Sequence, residues 1–146
     1  MEHSLLHRKD ITVLAAIDII NELGIQGLST KEIARRQGIS EGTLFRHFKT
    51  KTEIVLAVLD YFSQYDLDII ESIKLMHLEP VESIMFFIKA FAEYYENYPA
   101  ITAIAQSYDV LSNDPELSSK IISIFSGRNK FIKDTIEEEF YKETQC

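Results

Sequence analysis

The chain has 146 residues, 46% of them apolar and 26% charged, with a formal net charge of -8. That is room for one compact domain, or for a small domain sharing its core with a slightly larger one, and it excludes a disordered chain. Five glycines and three prolines are too few for collagen, a low-complexity linker or a loop-rich sandwich.

Apolar residues recur at spacings of three and four, and strict alternation is absent, so the chain reads as all-α. A first helix covers Leu5 to Leu23, with Val13, Ala16, Ile17, Ile20 and Leu23 on one face and Gly24 as a left-handed C-cap. Ser29 and Glu32 form a capping box that opens a short second helix ending at Gly38. Ser40 caps a third, running to Phe48. Thr50 and Glu53 form another capping box, followed by a fourth helix to Met76 that is roughly 39 Å long. Its inner face is Val55, Leu59, Phe62, Tyr65, Ile69, Ile73 and Met76. Pro80 opens a fifth helix ending near Tyr98, and Pro99 opens a sixth reaching Leu111. Asp114 and Pro115 are an N-cap and N1 pair for a seventh, with Leu117, Ile121, Phe125, Ile132, Ile136 and Phe140 along one face.

Charge divides the chain unevenly. Residues 1–55 carry a balance of +1 and residues 56–146 a balance of -9, so the acidity belongs to the second part and the first is free to meet phosphate. The single cysteine, Cys146, excludes an intramolecular disulfide and a cysteine-based zinc cage, and fits a reducing compartment. No apolar run approaches the ~18–20 residues of a membrane span, and the N-terminus lacks a signal-peptide pattern. A cytoplasmic protein is expected.

The informative segment is Ser29–Phe48, STKEIARRQGISEGTLFRHF. A helix-turn-helix needs a small residue where its helices cross, and Ala34 is there. It needs a residue tolerant of positive φ in the turn, and Gly38 is there. Ile33, Ile39, Leu44 and Phe48 are spaced to lock the second helix onto the first. Glu41, Thr43, Arg46 and His47 remain outside, and Gly42 leaves the backbone open; a short helix with that outer face suits the major groove. Taken alone, Arg35, Arg36 and Arg46 also read as a solvated helix face, and His47 as a histidine packed beside Phe48.

With the helix before it and the lysines after it, this segment resembles the N-terminal domain of TetR-type transcriptional regulators. The matching features are Ala15-Ala16, Gly24, Leu28-Ser29-Thr30, Ile33-Ala34, Gly38-Ile39-Ser40, and Gly42 through Phe48 followed by Lys49 and Lys51. The resemblance implies an N-terminal three-helix helix-turn-helix domain in residues 1–50 and a helical effector-binding and dimerisation region in residues 51–146. It implies that Thr43, His47 and Lys51 hold DNA phosphates. It places Thr30 and Lys31 where the second helix abuts the DNA backbone, and Gly42 and Arg46 near base edges. Arg35, Ser40, Glu41 and Lys49 complete the DNA-binding set. Phe45 stands where the family usually has Tyr, so a hydroxyl contact is lost. Glu41 either accepts from a cytosine amino group or serves the helix N-terminus; the second is preferred.

The second part is rich in aromatics, which by spacing alone are the filling of a small helical core. The resemblance implies a cavity there for a small apolar or aromatic effector, with Phe62, Tyr65, Phe87, Phe91, Tyr94, Tyr95 and Tyr108 as candidate lining. Lys74 and Lys89 are the only basic residues from Tyr61 to Tyr98, which disfavours a strongly anionic ligand. Glu137-Glu138-Glu139 reads as a solvated charge run, and His77 as structural. No phosphate loop, His-Glu-x-x-His pair or nucleophile elbow is present, so neither an enzyme nor a cofactor or metal is expected.

The resemblance also implies two further helices, which in the family form a four-helix bundle between subunits. The helical pattern here stops at the seventh helix, so a shortened form, or dimerisation through exposed apolar residues of the sixth and seventh helices, is expected. The function that follows is a dimeric repressor on a palindromic operator. The alternative is a truncated interaction module that pairs with a partner or binds a ligand without regulating DNA.

Overall fold

A computed structural model describes the backbone of residues 2–145 and the side chains of residues 8–145. Cys146 and the side chains of His3 and His7 lie outside the described residues. Those residues form eight α-helices and no strand: α1 Glu2–Leu23, α2 Thr30–Gln37, α3 Glu41–His47, α4 Lys51–Leu75, α5 Pro80–Asn97, α6 Pro99–Gln106, α7 Tyr108–Asn113 and α8 Ser118–Thr144. A single 3-10 turn, Ile25–Gly27, links α1 to α2. None of these helices is long and apolar enough to cross a membrane.

The caps follow the sequence closely. Ser29, Ser40 and Thr50 accept from the backbone N–H of Glu32, Thr43 and Glu53 at 3.1, 3.1 and 3.2 Å. Glu53 closes its box one residue early, accepting from the Lys49 N–H at 2.7 Å. Glu32 does not close its box at all: its carboxylate is taken by Arg35 and Arg36. Gly38 sits in the left-handed basin at φ 67, ψ 30. Gly24 also has positive φ, 73, but its ψ of 178 lies outside that basin, so it redirects the chain into the 3-10 turn in place of a left-handed C-cap.

Two boundaries differ from expectation. The sixth helix is broken into α6 and α7 at Ser107, where the N–H is shared between the Ala103 and Ile104 carbonyls and the hydroxyl donates to Ala103 O at 2.9 Å. A serine hydroxyl competing for backbone carbonyls loosens a helix. The last helix starts at Ser118, not Pro115, because the Asp114 carboxylate accepts from the Glu116 N–H at 2.9 Å and first closes a turn.

One continuous apolar cluster runs from Val13 in α1 to Ile124 in α8. α1 packs on α2, α4 and α6, α3 packs on α2, and α8 lies against α4, α5 and α7. Asn21 of α1 accepts from the backbone N–H of Ala100 at the start of α6, which ties α1 to α6. The buried stripe of α4 is Ile54, Val55, Val58, Leu59, Phe62, Asp66, Ile69 and Ile73. Tyr65 and Met76, expected inside, are 40% and 43% exposed, because the 3.6-residue stripe passes through Asp66. Leu23, Ile136 and Phe140 are likewise exposed. His77, expected among apolar neighbours, is exposed just past the end of α4 with φ 50, where it turns the chain.

The His77 backbone defines a stability test. A side chain in left-handed conformation costs roughly 1–2 kcal/mol, part of which glycine returns as unfolded-state entropy. His77→Gly is therefore expected to stabilise the protein by about 0.5–1 kcal/mol in urea titration; an unchanged or lower midpoint counts against strain at this turn.

Candidate nucleic-acid interface

The first three helices form a compact unit whose inner wall is apolar. Ile33, Ala34 and Leu44 are fully or almost fully buried, Phe48 is buried, and Ile39 is half-buried between α2 and α3. With those positions inward, the rest of α3 faces out. Glu41, Gly42, Phe45 and Arg46 are exposed, and so are Lys31, Arg35, Ser40, Lys49 and Lys51 around them. Thr30, Thr43 and His47 are half-buried. The eleven residues expected to meet DNA thus lie on the α2–α3 unit and the start of α4, with none buried.

Several of them have partners within the protein. The Thr30 hydroxyl donates to Glu41 at 3.2 Å, tying the N-terminus of α2 to that of α3. Glu41 thus braces the motif from within and also favours the positive end of α3. The hydroxyls of Thr43 and Ser40 are 3.0 Å apart. Arg35 grips Glu32 with two hydrogen bonds, of 2.9 and 2.7 Å. Arg46, Lys49 and Lys51 are exposed basic side chains at the end of α3 and the start of α4, a position that suits mobile, solvated contacts to a phosphate backbone.

Arg36 behaves differently. It is half-buried, donating to Glu32 at 2.9 Å within its own helix and to Glu22 of α1 at 2.6 Å. This network clamps the helix-turn-helix to α1. The two guanidinium groups hold the Glu32 carboxyl down to about 2, and the Arg36 hydrogen bond lowers Glu22 as well. Glu32 therefore adds stability above its unfolded pKa, and that contribution is lost as pH falls from there towards 2.

Sequence reading missed a second feature of this face. A cleft of about 310 Å³ lies between α1 and α3, with Arg8, Thr12, Gln37, Thr43 and His47 in its walls. Thr12 is buried and pairs with the Gln37 amide, which donates at 3.0 Å. Arg8 brings a cation beside Thr43 and His47. Its signal in the sequence was only the basic pair Arg8-Lys9, with no spacing to tie it to α3.

The candidate effector residues form a packed aromatic cluster. Phe62, Phe87, Phe91 and Tyr94 are buried, and Tyr65 stacks on Tyr94 with ring centres 4.0 Å apart. Tyr108 meets Phe125 edge-on. Tyr95 accepts a hydrogen bond from Arg128 at 2.8 Å. Of the seven, Phe62 and Tyr95 line a small cavity of about 20 Å³ inside this cluster. A groove of about 490 Å³ beside the end of α4 is lined by none of them.

Residues 13–58 match the family model described as bacterial regulatory proteins, tetR family. The nucleoid occlusion factor SlmA of Actinobacillus pleuropneumoniae is 24% identical over 125 residues, covering 85% of this chain and 62% of that protein. The chain thus spans less than two thirds of the length of such relatives. Among solved structures, the ketosteroid transcriptional regulator KstR2 of Mycobacterium tuberculosis superposes with a TM-score of 0.79 at 24% identity, over 92% of this chain and 69% of that one. The transcriptional regulator FadR of Bacillus subtilis, solved in complex with stearoyl-CoA, gives 0.74 at 21% identity, over 91% and 71%.

The Glu32 network carries a pH test. Glu32→Gln is expected to be less stable than wild type at neutral pH, with the difference shrinking as pH drops below 4.5 and vanishing near 2. A difference that stays constant across a urea-melt series from neutral to acid pH would remove the charge from the explanation.

Proposed function

We propose, from the match of residues 13–58 to the tetR-family model, that the chain is a sequence-specific DNA-binding transcriptional regulator. It acts as a repressor in the cytoplasm, released from its operator by a small apolar or aromatic effector. The observation that carries this reading is the outer face of α3, where Gly42, Thr43 and Arg46 lie over a buried Leu44 with Lys49 and Lys51 alongside. A helix N-terminus with open backbone and hydroxyl donors approaches phosphate, and an arginine one turn further on reaches base edges.

As a dimer, the protein sets two copies of α3 in successive major grooves about 34–36 Å apart, so the operator is palindromic. An effector in the aromatic core shifts α4, whose first turns underlie the DNA-binding unit, and so changes that spacing. The coupling is reciprocal: operator DNA weakens effector binding by the factor by which effector weakens DNA binding. Two regulators of similar fold solved in complex with stearoyl-CoA and lauroyl-CoA support a ligand that carries an apolar chain.

The curated relatives favour a second reading, a DNA-bound factor acting in nucleoid occlusion. The module that binds no operator DNA is the remaining alternative.

Selection of duplexes from a random pool, followed by salt-titrated binding, separates these readings. Lys51→Ala is expected to weaken all duplexes alike and to reduce the salt slope by about one. Arg46→Ala is expected to cost about 1–3 kcal/mol on the selected site and to relax its sequence preference. Unchanged binding of Lys51→Ala to every duplex would falsify its phosphate role, and a selection that returns no symmetric site sinks the dimeric repressor.

A further inference from the structure

Asp66 stands in the otherwise apolar buried stripe of α4, and Arg128 is half-buried on α8, one turn after the buried Ile124. They meet in the core: Arg128 Nε donates to Asp66 Oδ2 at 2.6 Å and Nη2 to Oδ1 at 3.0 Å. Nη1 donates to the Tyr95 hydroxyl at 2.8 Å. The rings of Phe91, Phe125 and Tyr95 surround the guanidinium at 4.8 to 5.9 Å. A buried ion pair is a poor source of stability, since well-packed apolar residues do as well or better. Its presence in an aromatic core calls for another role.

Three observations point to that role. The cavity of about 20 Å³ has Arg128 and Tyr95 in its lining, with Leu59, Phe62, Ile104 and Ile121 as apolar walls. Three of the five guanidinium N–H groups have acceptors, which leaves two to donate. Tyr94 is 3% exposed, its ring lies edge-on to that of the cavity residue Phe62, and its buried hydroxyl has no hydrogen-bond partner among the described residues. The core therefore holds surplus donors beside a space the size of one small polar group.

We propose that Arg128, held in place by Asp66 and Tyr95, forms a polar subsite in the aromatic core that takes a neutral hydrogen-bond acceptor, a carbonyl or hydroxyl oxygen, on an otherwise apolar small molecule. The subsite rests on the reading that this core admits an effector. Charge selects the neutral group. Arg128 and Asp66 already cancel, so an anionic head adds an uncompensated buried charge, which costs several kcal/mol. A carbonyl adds none and satisfies a donor. The molecule's body displaces side chains along the Leu59 and Ile121 walls, next to the break between α6 and α7.

Three matched probes test this on the full chain by calorimetric titration: acetophenone, ethylbenzene and benzoate. Acetophenone is expected to bind about tenfold tighter than ethylbenzene, the worth of one hydrogen bond to a charged donor, and benzoate weaker than acetophenone. The double variant Asp66→Leu with Arg128→Met keeps the core apolar and is expected to bind acetophenone and ethylbenzene alike. Tyr95→Phe leaves the ion pair in place, frees one more N–H, and is expected to keep or widen the acetophenone preference, so the test stands even where the double variant does not fold. Equal binding of acetophenone and ethylbenzene by the wild type overturns the subsite and leaves the effector reading intact. Tighter binding of benzoate overturns the neutral-acceptor assignment, and so does a preference lost in Tyr95→Phe. Binding of none of the three overturns the subsite and the effector reading together.

Discussion

The fourth helix is the constraint on which the rest depends. It is one unbroken rod of 25 residues, and its buried stripe serves two surroundings in turn. Ile54, Val55 and Val58 lie in the part that follows directly on α3, while Phe62, Asp66, Ile69 and Ile73 lie further along, where α5 and α8 pack. The helix contains neither proline nor glycine, so it lacks the usual kink sites, and a shift at one end is carried along it. Whatever displaces α4 at Asp66 is therefore felt at Lys51, the first residue of α4 after α3. The hydrogen bond from Ala100 to Asn21 gives a second link between the same two regions.

Electrostatics is arranged by place, not by total. The chain is strongly acidic, yet its acidity lies beyond residue 55, and the outer face of the first helices keeps its basic residues. Within that unit acidic groups are internal braces: Glu22 and Glu32 hold Arg36, and Glu41 holds Thr30. Arg36 thus offsets the charges of Glu22 and Glu32, while Arg46, Lys49 and Lys51 stand exposed on the outer face beside the carboxylate of Glu41. Asp66 does the same for Arg128 in the core, but there burial works on both groups. It pushes the Asp66 carboxyl above the usual range against the pull of Arg128, and it opposes the Arg128 charge, which the Asp66 hydrogen bond more than restores.

Much of this was legible in the residues. Ser29, Ser40 and Thr50 are caps because a short side chain followed by a polar helix start has few other uses, and all three accept from the third residue on. Gly38 announces its turn because few other residues take its φ without strain. The exposed face of α3 followed once Ile33, Leu44 and Phe48 were assigned inward. The Ser107 break was not legible, since a serine within a helical pattern is common and only the carbonyl it competes for decides whether the helix yields. The Asp114 turn was hidden for the same reason: a cap residue and a turn residue have the same chemistry.

Periodicity determined by itself that this is an all-α chain with a helix-turn-helix near its start, because capping, turn and burial signals there are local and lie within a few residues of one another. It could not show that Asp66 and Arg128, 62 positions apart, share the core. Read along the chain, each is a charged residue that interrupts an apolar stripe, and the stripe was accordingly drawn through Tyr65 instead. Only the packing of α4 against α8 brings the two interruptions together. A buried charge is stable only beside its opposite, and a partner so distant in sequence is chosen by tertiary structure alone.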